Sequence, residues 1–197
     1  MGSPGLLLID MQHDFMDTTG SCYNIGAEDT IVPTAELIAA FRSAGLPVIF
    51  TREVHRPHLA DAGLEADPNY HVPIHTVEGT MGMEIIDELQ PLAGEMVVDK
   101  RRYSCFLGTE LELLLKRDRI DTIVICGVSS DVCVHWTAGE AWQRDFHVRV
   151  VEDCTAGTSL EDHDASMLLL RNLCSGGRKI VSSDILRAVA ASALVSV

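Results

Sequence analysis

Residues 121–136 read DTIVICGVSSDVCVHW. The first half is a continuous apolar, β-branched run closed by Gly127, the pattern of a strand buried on both faces. The chain then turns polar at Ser129, Ser130 and Asp131. It resumes a helical pattern to about Arg144, with Cys133 in the first turn if Ser130 or Asp131 caps the helix. A buried strand passing through a short polar turn into a helix is half of a parallel β/α unit.

The same alternation runs outward in both directions. GLLLID (5–10), LPVIFTR (46–52), EMVVDK (95–100) and HVRVVED (147–153) read as further strands, and KIVSS (179–183) as a short sixth. Helices fall between them. One starts at Pro33 and stops at Gly45, and another opens on a capping box formed by Thr109 and Glu112. A third starts at Ser159 and Asp162, and the last spans 183–194. The 197 residues suit one domain, 1–197, built on a parallel sheet with both faces covered. In such sheets ligands bind at the carboxyl ends of the strands. The irregular stretch 53–80, rich in His, Pro and Gly, reads as a lid or binding loop.

Composition narrows the function classes. A formal charge of −14 repels phosphate backbones and anionic lipid, so no nucleic acid or membrane partner is expected. No apolar run is long enough to span a bilayer, and the start carries no secretory signal pattern. The six cysteines are scattered without a CxxC pair, which suits a reduced, cytoplasmic protein. No glycine-rich phosphate loop follows any strand.

Three strand ends carry chemistry: Asp10, Lys100 and, past Gly127, Cys133. Taken singly they are a turn former, part of a basic cluster with Arg101 and Arg102, and an inert buried thiol. On one sheet edge they are a carboxylate, an ammonium and a thiol that make sense together. A helix N-terminus and a nearby lysine both favour the thiolate, and an adjacent carboxylate can take its proton.

At these residues the chain resembles the isochorismatase-like cysteine hydrolase superfamily, which includes nicotinamidases, N-carbamoylsarcosine amidohydrolases, and ureidoacrylate and biuret amidohydrolases. The resemblance is carried by LLLIDMQHDF (6–15), VVDKRRYSCFLGTEL (97–111), GVSSDVCV (127–134) and EDCTAGTSLEDHDASM (152–167). It implies a Rossmann-like, three-layer α/β/α sandwich with a six-stranded parallel sheet. It also implies Asp10 as general base, Lys100 and Cys133 completing a triad, a cis peptide between Val128 and Ser129, and an oxyanion hole from the Ser129 and Cys133 N–H groups. Phe15 and Tyr103 are candidate substrate contacts, and Phe106 is assigned to the core. His135 and Trp136 read equally as facing the pocket, the core or a partner. Arg101 and Arg102 either hold a substrate carboxylate or face solvent.

Nicotinamidases place a metal in the loop after strand two. The corresponding residues here are Glu53 and His55, with His58, His71 and His75 further on, and Glu53, His55 and His71 are the ligand set if a metal is present. Glu-x-His-Arg-Pro also occurs in metal-free members, so no cofactor is expected. The implied activity is cleavage of a C–N bond in a small amide, ureide or carbamoyl compound through a thioester, by a homo-oligomer (dimer or tetramer). The alternatives are a metal-containing nicotinamidase, an isochorismatase that hydrolyses a vinyl ether, and a non-catalytic scaffold of the same fold.

Overall fold

The computed structural model of the protein describes residues 3–70 and 72–195; His71, a metal candidate above, lies outside them. The elements in order are β1 (Ser3–Ile9), α1 (His13–Met16), α2 (Ile31–Ser43), β2 (Val48–Glu53), β3 (Met96–Lys100), α3 (Leu111–Arg117), β4 (Ile120–Gly127), α4 (Cys133–Gln143), β5 (His147–Thr155), α5 (Leu160–Cys174) and α6 (Ser182–Val195). Four short 3-10 turns lie in the connections.

The strands form one five-stranded sheet in the order β3-β2-β1-β4-β5, and every pair is parallel. Alternate residues of β1 feed two cores. Leu6 and Leu8 join Leu37 and Phe41 of α2 and Ile185 and Val189 of α6. Leu7 and Ile9 join Leu114 of α3, Val134 and Ala138 of α4 and Met167 and Leu170 of α5. Each of the larger of these side chains contributes about 1.5–3 kcal/mol when fully buried. That period of two, buried on both sides, is why β1 reads as an unbroken apolar run.

The expected sixth strand at 179–183 is not formed. Glu152 N–H donates to Ile180 O at 2.9 Å, but the pairing stops there. Side chains take the N–H groups a ladder would need: Val181 N–H bonds to Asp184 Oδ2 at 3.1 Å and Ser182 N–H to Asp153 Oδ1 at 2.7 Å. These bonds start α6 at Ser182 instead. Two helix starts also differ from expectation. Glu112 does not close a capping box at Thr109; it pairs with Lys116 and Arg144. α2 begins at Ile31, putting Pro33 still within the first turn, where its missing N–H costs nothing. Ser159 does cap α5, accepting from Asp162 N–H at 3.0 Å.

Strand order reverses at β1, which is flanked by β2 on one side and β4 on the other. At such a switch point the chain leaves neighbouring strands in opposite directions and opens a crevice at their carboxyl ends.

Candidate active site

The crevice is built from the ends of four strands. β1 leads into Asp10, whose backbone sits at φ 52°, a left-handed conformation that Asp tolerates better than most residues. The turn aims its carboxyl back over the sheet edge. Thr51 of β2 holds it there, donating to Oδ1 at 2.7 Å. β2 ends in Glu53 and β3 in Lys100, and the two pair directly in the strand register. β4 ends at Gly127, at φ 119°, where a Cβ would stand 2.1 Å from Ile9 O; only glycine permits that approach.

After Gly127 comes the cis peptide between Val128 and Ser129. α4 then starts at Cys133 itself, and no side chain caps it. Ser130 and Asp131 are not the caps expected of them. The Ser130 hydroxyl faces His163 Nδ1 at 3.0 Å, and Asp131 accepts from Thr158 N–H at 3.0 Å. They fasten the turn to the start of α5 instead. Gly157 allows this, since a Cβ there would stand 2.6 Å from Ser130 Oγ. Ser166 of α5 also donates to Ser130 O at 2.7 Å, and His135 bonds to Ser166 rather than facing the pocket. The Ser129 and Cys133 N–H groups have no protein acceptor among the described residues.

Asp10, Lys100 and Cys133 meet at this edge, all buried. Lys100 Nζ lies 2.7 Å from Asp10 Oδ2 and 3.3 Å from Cys133 Sγ. A fourth group, Glu53, completes the cluster: Oε2 is 2.6 Å from Lys100 Nζ and accepts from the Cys133 thiol at 3.4 Å. By its sequence strand two ends at Arg52 and Glu53 falls in the loop, whereas the strand runs one residue further. The carboxyl-end rule that singles out Asp10 and Lys100 would have found it with the strand one residue longer. Gln12 clamps Glu53 in place, donating to its carbonyl at 2.8 Å and accepting from its N–H at 2.8 Å.

Burial raises Cys133 well above the usual thiol range; Lys100 pulls the other way, and Glu53 and Asp10 push up further. This direction favours the protonated thiol, which a neighbouring base must then deprotonate. Asp10 is also raised by burial, with Lys100 pulling down and Glu53 pushing up. Glu53 goes the other way. Burial opposes its charge, but Lys100, His55 and His75 together hold it well below the ordinary carboxylate range.

Behind Glu53 lies a second polar cluster. His55 Nε2 is 3.2 Å from Glu53 Oε1 and 3.2 Å from Glu65 Oε2, and His75 Nε2 is 3.6 Å and 3.9 Å from the same two atoms. Burial disfavours both imidazolium forms. The carboxylates nevertheless raise His55 to about 9, and Cys22 and Glu53 raise His75 to about 11. The four donors also suit a metal. A tetrahedral ion with bonds of about 2.0–2.1 Å needs donors roughly 3.3 Å apart, close to the spacing of His55 Nε2 from Glu53 Oε1 and Glu65 Oε2. The ligand set that could hold an ion is thus Glu53, His55, Glu65 and His75. His58 is exposed and takes no part. Glu65 lies in the irregular loop, where no periodicity marks it.

A chamber of about 350 Å³ opens over Cys133, lined by Phe15, Tyr103, Val72, His75, Ser129 and Thr158 among others. Val72 and Tyr103 also line an outer chamber of about 750 Å³, with Leu64, Arg102, Leu107 and Trp136. Phe106 packs in the core, stacked on Phe146 with centroids 6.1 Å apart. Arg101 is tied to Asp61 at 2.9 Å.

Residues 4–181 match the isochorismatase domain family. The chain belongs to the isochorismatase family. It is 30% identical to the ureidoacrylate amidohydrolase RutB of Yersinia enterocolitica over 169 residues, covering 76% of this chain and 74% of that protein. It is 30% identical to the maleamate amidohydrolase of Pseudomonas putida over 165 residues, covering 83% and 77%. Among solved structures, an isochorismatase-like hydrolase from Alkaliphilus metalliredigens superposes with a TM-score of 0.84 at 30% identity, covering 94% of this chain and 98% of that one.

Proposed function

We propose that the protein is a cysteine hydrolase that cleaves a C–N bond in a small amide, ureide or carbamoyl compound through a thioester. At the coarser level it is a hydrolase of carbon–nitrogen bonds other than peptide bonds, as its amidohydrolase relatives are. One observation carries the finer reading: the Cys133 thiol borders a chamber beside Asp10 and Lys100, with two unpartnered N–H groups at hand.

In this mechanism the substrate carbonyl enters the chamber with its oxygen toward the Ser129 and Cys133 N–H groups. The thiol is hydrogen-bonded to Glu53 at rest, but Glu53 is a poor base because its neighbours hold it ionised. Asp10, with the raised pKa, takes the proton as Sγ attacks the carbonyl carbon. Lys100 touches all three acidic groups and balances their charge. The tetrahedral oxyanion accepts from the two N–H groups, each such donor being worth about 10²–10³ in rate. Asp10 then protonates the departing nitrogen as the C–N bond breaks, leaving a thioester at Cys133. Water, deprotonated by Asp10, attacks the thioester, and the acid leaves as the thiol regains its proton. Cys133→Ala is expected to abolish ammonia release from a panel of amides and ureides, and Cys133→Ser to lower it severely. Full activity in the alanine variant would end the reading.

A metal-containing amidase is a second reading, favoured by the cluster of Glu53, His55, Glu65 and His75. These residues would hold the ion, which supplies Lewis-acid polarisation when bound. Elemental analysis of untagged protein decides it: stoichiometric zinc or iron supports it, and metal-free active protein removes it. A dimer or tetramer belongs to the leading reading and is supported by Leu168, Leu169 and Leu173, exposed along α5. A monomer by sedimentation would count against it.

A further inference from the structure

The two neighbouring arginines after Lys100 differ in a way that bears on substrate. Arg101 is neutralised by Asp61. Arg102 has no carboxylate within ion-pair range among the described residues. Its Nη1 donates to two backbone carbonyls, Asp61 O at 2.6 Å and Arg101 O. Those bonds fix the guanidinium without cancelling its charge. Arg102 lines the outer chamber, which shares Val72 and Tyr103 with the chamber over Cys133.

The acidic groups lining the same outer chamber are already engaged. Glu65 faces His55 and His75. Glu140 pairs with Arg144 and accepts from Ser104. The uncompensated charge in the chamber is therefore positive and belongs to Arg102, in a protein whose net charge of −14 otherwise repels anions. Beside these charged groups the chamber is lined by the apolar Leu64, Val72, Leu107 and Trp136.

We infer that Arg102 is a specificity residue that binds a carboxylate on the substrate. The substrate class is then an amide or ureide whose reacting carbonyl sits over Cys133 and whose carboxylate lies in the outer chamber, joined by an apolar stem. This rests on the hydrolase reading above. A planar guanidinium held on one side presents its remaining N–H donors as a fork that matches a carboxylate.

The test uses ω-ureido carboxylates of graded length, from ureidoacetate to 6-ureidohexanoate, each beside the alkylurea that lacks the carboxylate. The wild-type protein should favour the carboxylate at one or more lengths by kcat/KM. In Arg102→Gln the ratio of kcat/KM between acid and alkylurea should fall about 10- to 100-fold, and Arg102→Lys should recover part of it. A merely structural role would lower both substrates together and leave the ratio within threefold, which overturns the inference, as does a wild-type preference for alkylureas. Calorimetric titration of the Cys133→Ala protein, with and without Arg102→Gln, reads the same contact without turnover. Saturable binding of an acid that weakens by a similar factor supports the inference. Binding insensitive to Arg102, or none at any length, overturns it. Absence of ammonia from every pair would instead sink the hydrolase reading, with the titration still deciding on Arg102.

Discussion

Asp10 and Glu53 are two buried carboxylates on the same lysine, 2.7 Å and 2.6 Å from Lys100 Nζ, and they behave oppositely. Asp10 is raised from 3.8, whereas Glu53 is held far down. Burial acts on both in the same direction, and the partners make the difference. Beyond Lys100, Asp10 has one neutral hydroxyl, Thr51. Glu53 has Lys100, two imidazoles and a clamp on its backbone from Gln12. Asp10 is thus pushed toward its protonated form and Glu53 toward its charged form. Two carboxylates whose surroundings push their pKa values apart are the arrangement in which one serves as base and the other as electrostatic support.

The largest test of that division is Asp10→Asn. It removes the carboxyl that cycles the proton in the proposed mechanism, and kcat should fall about 10²- to 10⁴-fold. Ammonia release on the substrate that wild type turns over best is the measurement. A fall under tenfold would mean that Glu53 takes the proton and the two roles are reversed.

Glu53→Gln should lower activity less and stability more. Removing one partner of a buried ion pair costs roughly 3–5 kcal/mol, and here it also strands His55 and His75. Thermal unfolding should show a midpoint lower by several degrees. The pH profile is the sharper readout. The Glu53 charge is one of the causes that raise Asp10, so its loss should move the acid limb of kcat/KM, set by ionisation of Asp10, to lower pH. A limb that stays put would show that Asp10 does not feel Glu53.

Much of this edge is legible in the sequence because strand ends are legible. Buried parallel strands appear as continuous apolar runs, so GLLLID and DTIVICG announce themselves, and the residues at their ends fall on one edge by topology alone. Asp10, Lys100 and the approach to Cys133 are found that way. Two kinds of feature escape. KIVSS has strand composition, but Asp184 just after it and Asp153 from β5 intercept its N–H groups, and the second of these leaves no local mark. Glu65 and His75 are brought to Glu53 by an irregular loop with no period to read, and His71, the third ligand expected from the sequence, lies outside the described residues. Residue types reveal which charges lie near Cys133, while the burial that dominates its titration comes only with packing.

Thr51→Val is the smallest and most selective of these perturbations. Valine nearly matches the shape of threonine and removes only the hydroxyl that donates to Asp10 Oδ1. That bond stabilises ionised Asp10, so without it the folded pKa rises further, and the acid limb of kcat/KM should move to higher pH, opposite to Glu53→Gln. Stability follows with the same sign. A carboxyl whose folded pKa lies above its unfolded value holds its proton more tightly in the native state. Its contribution is therefore present below about 3.8 and is lost as pH rises through the folded pKa. Raising that pKa enlarges the loss at neutral pH, by about 1–3 kcal/mol for a buried acceptor left unpaired. Unfolding midpoints at acid and neutral pH measure it: the variant should be close to wild type at low pH and fall below it toward neutrality. Opposite limb shifts in the two variants would show that the gap between Asp10 and Glu53 is set by their separate partners, whereas shifts in one direction would mean that the pair titrates as a single unit.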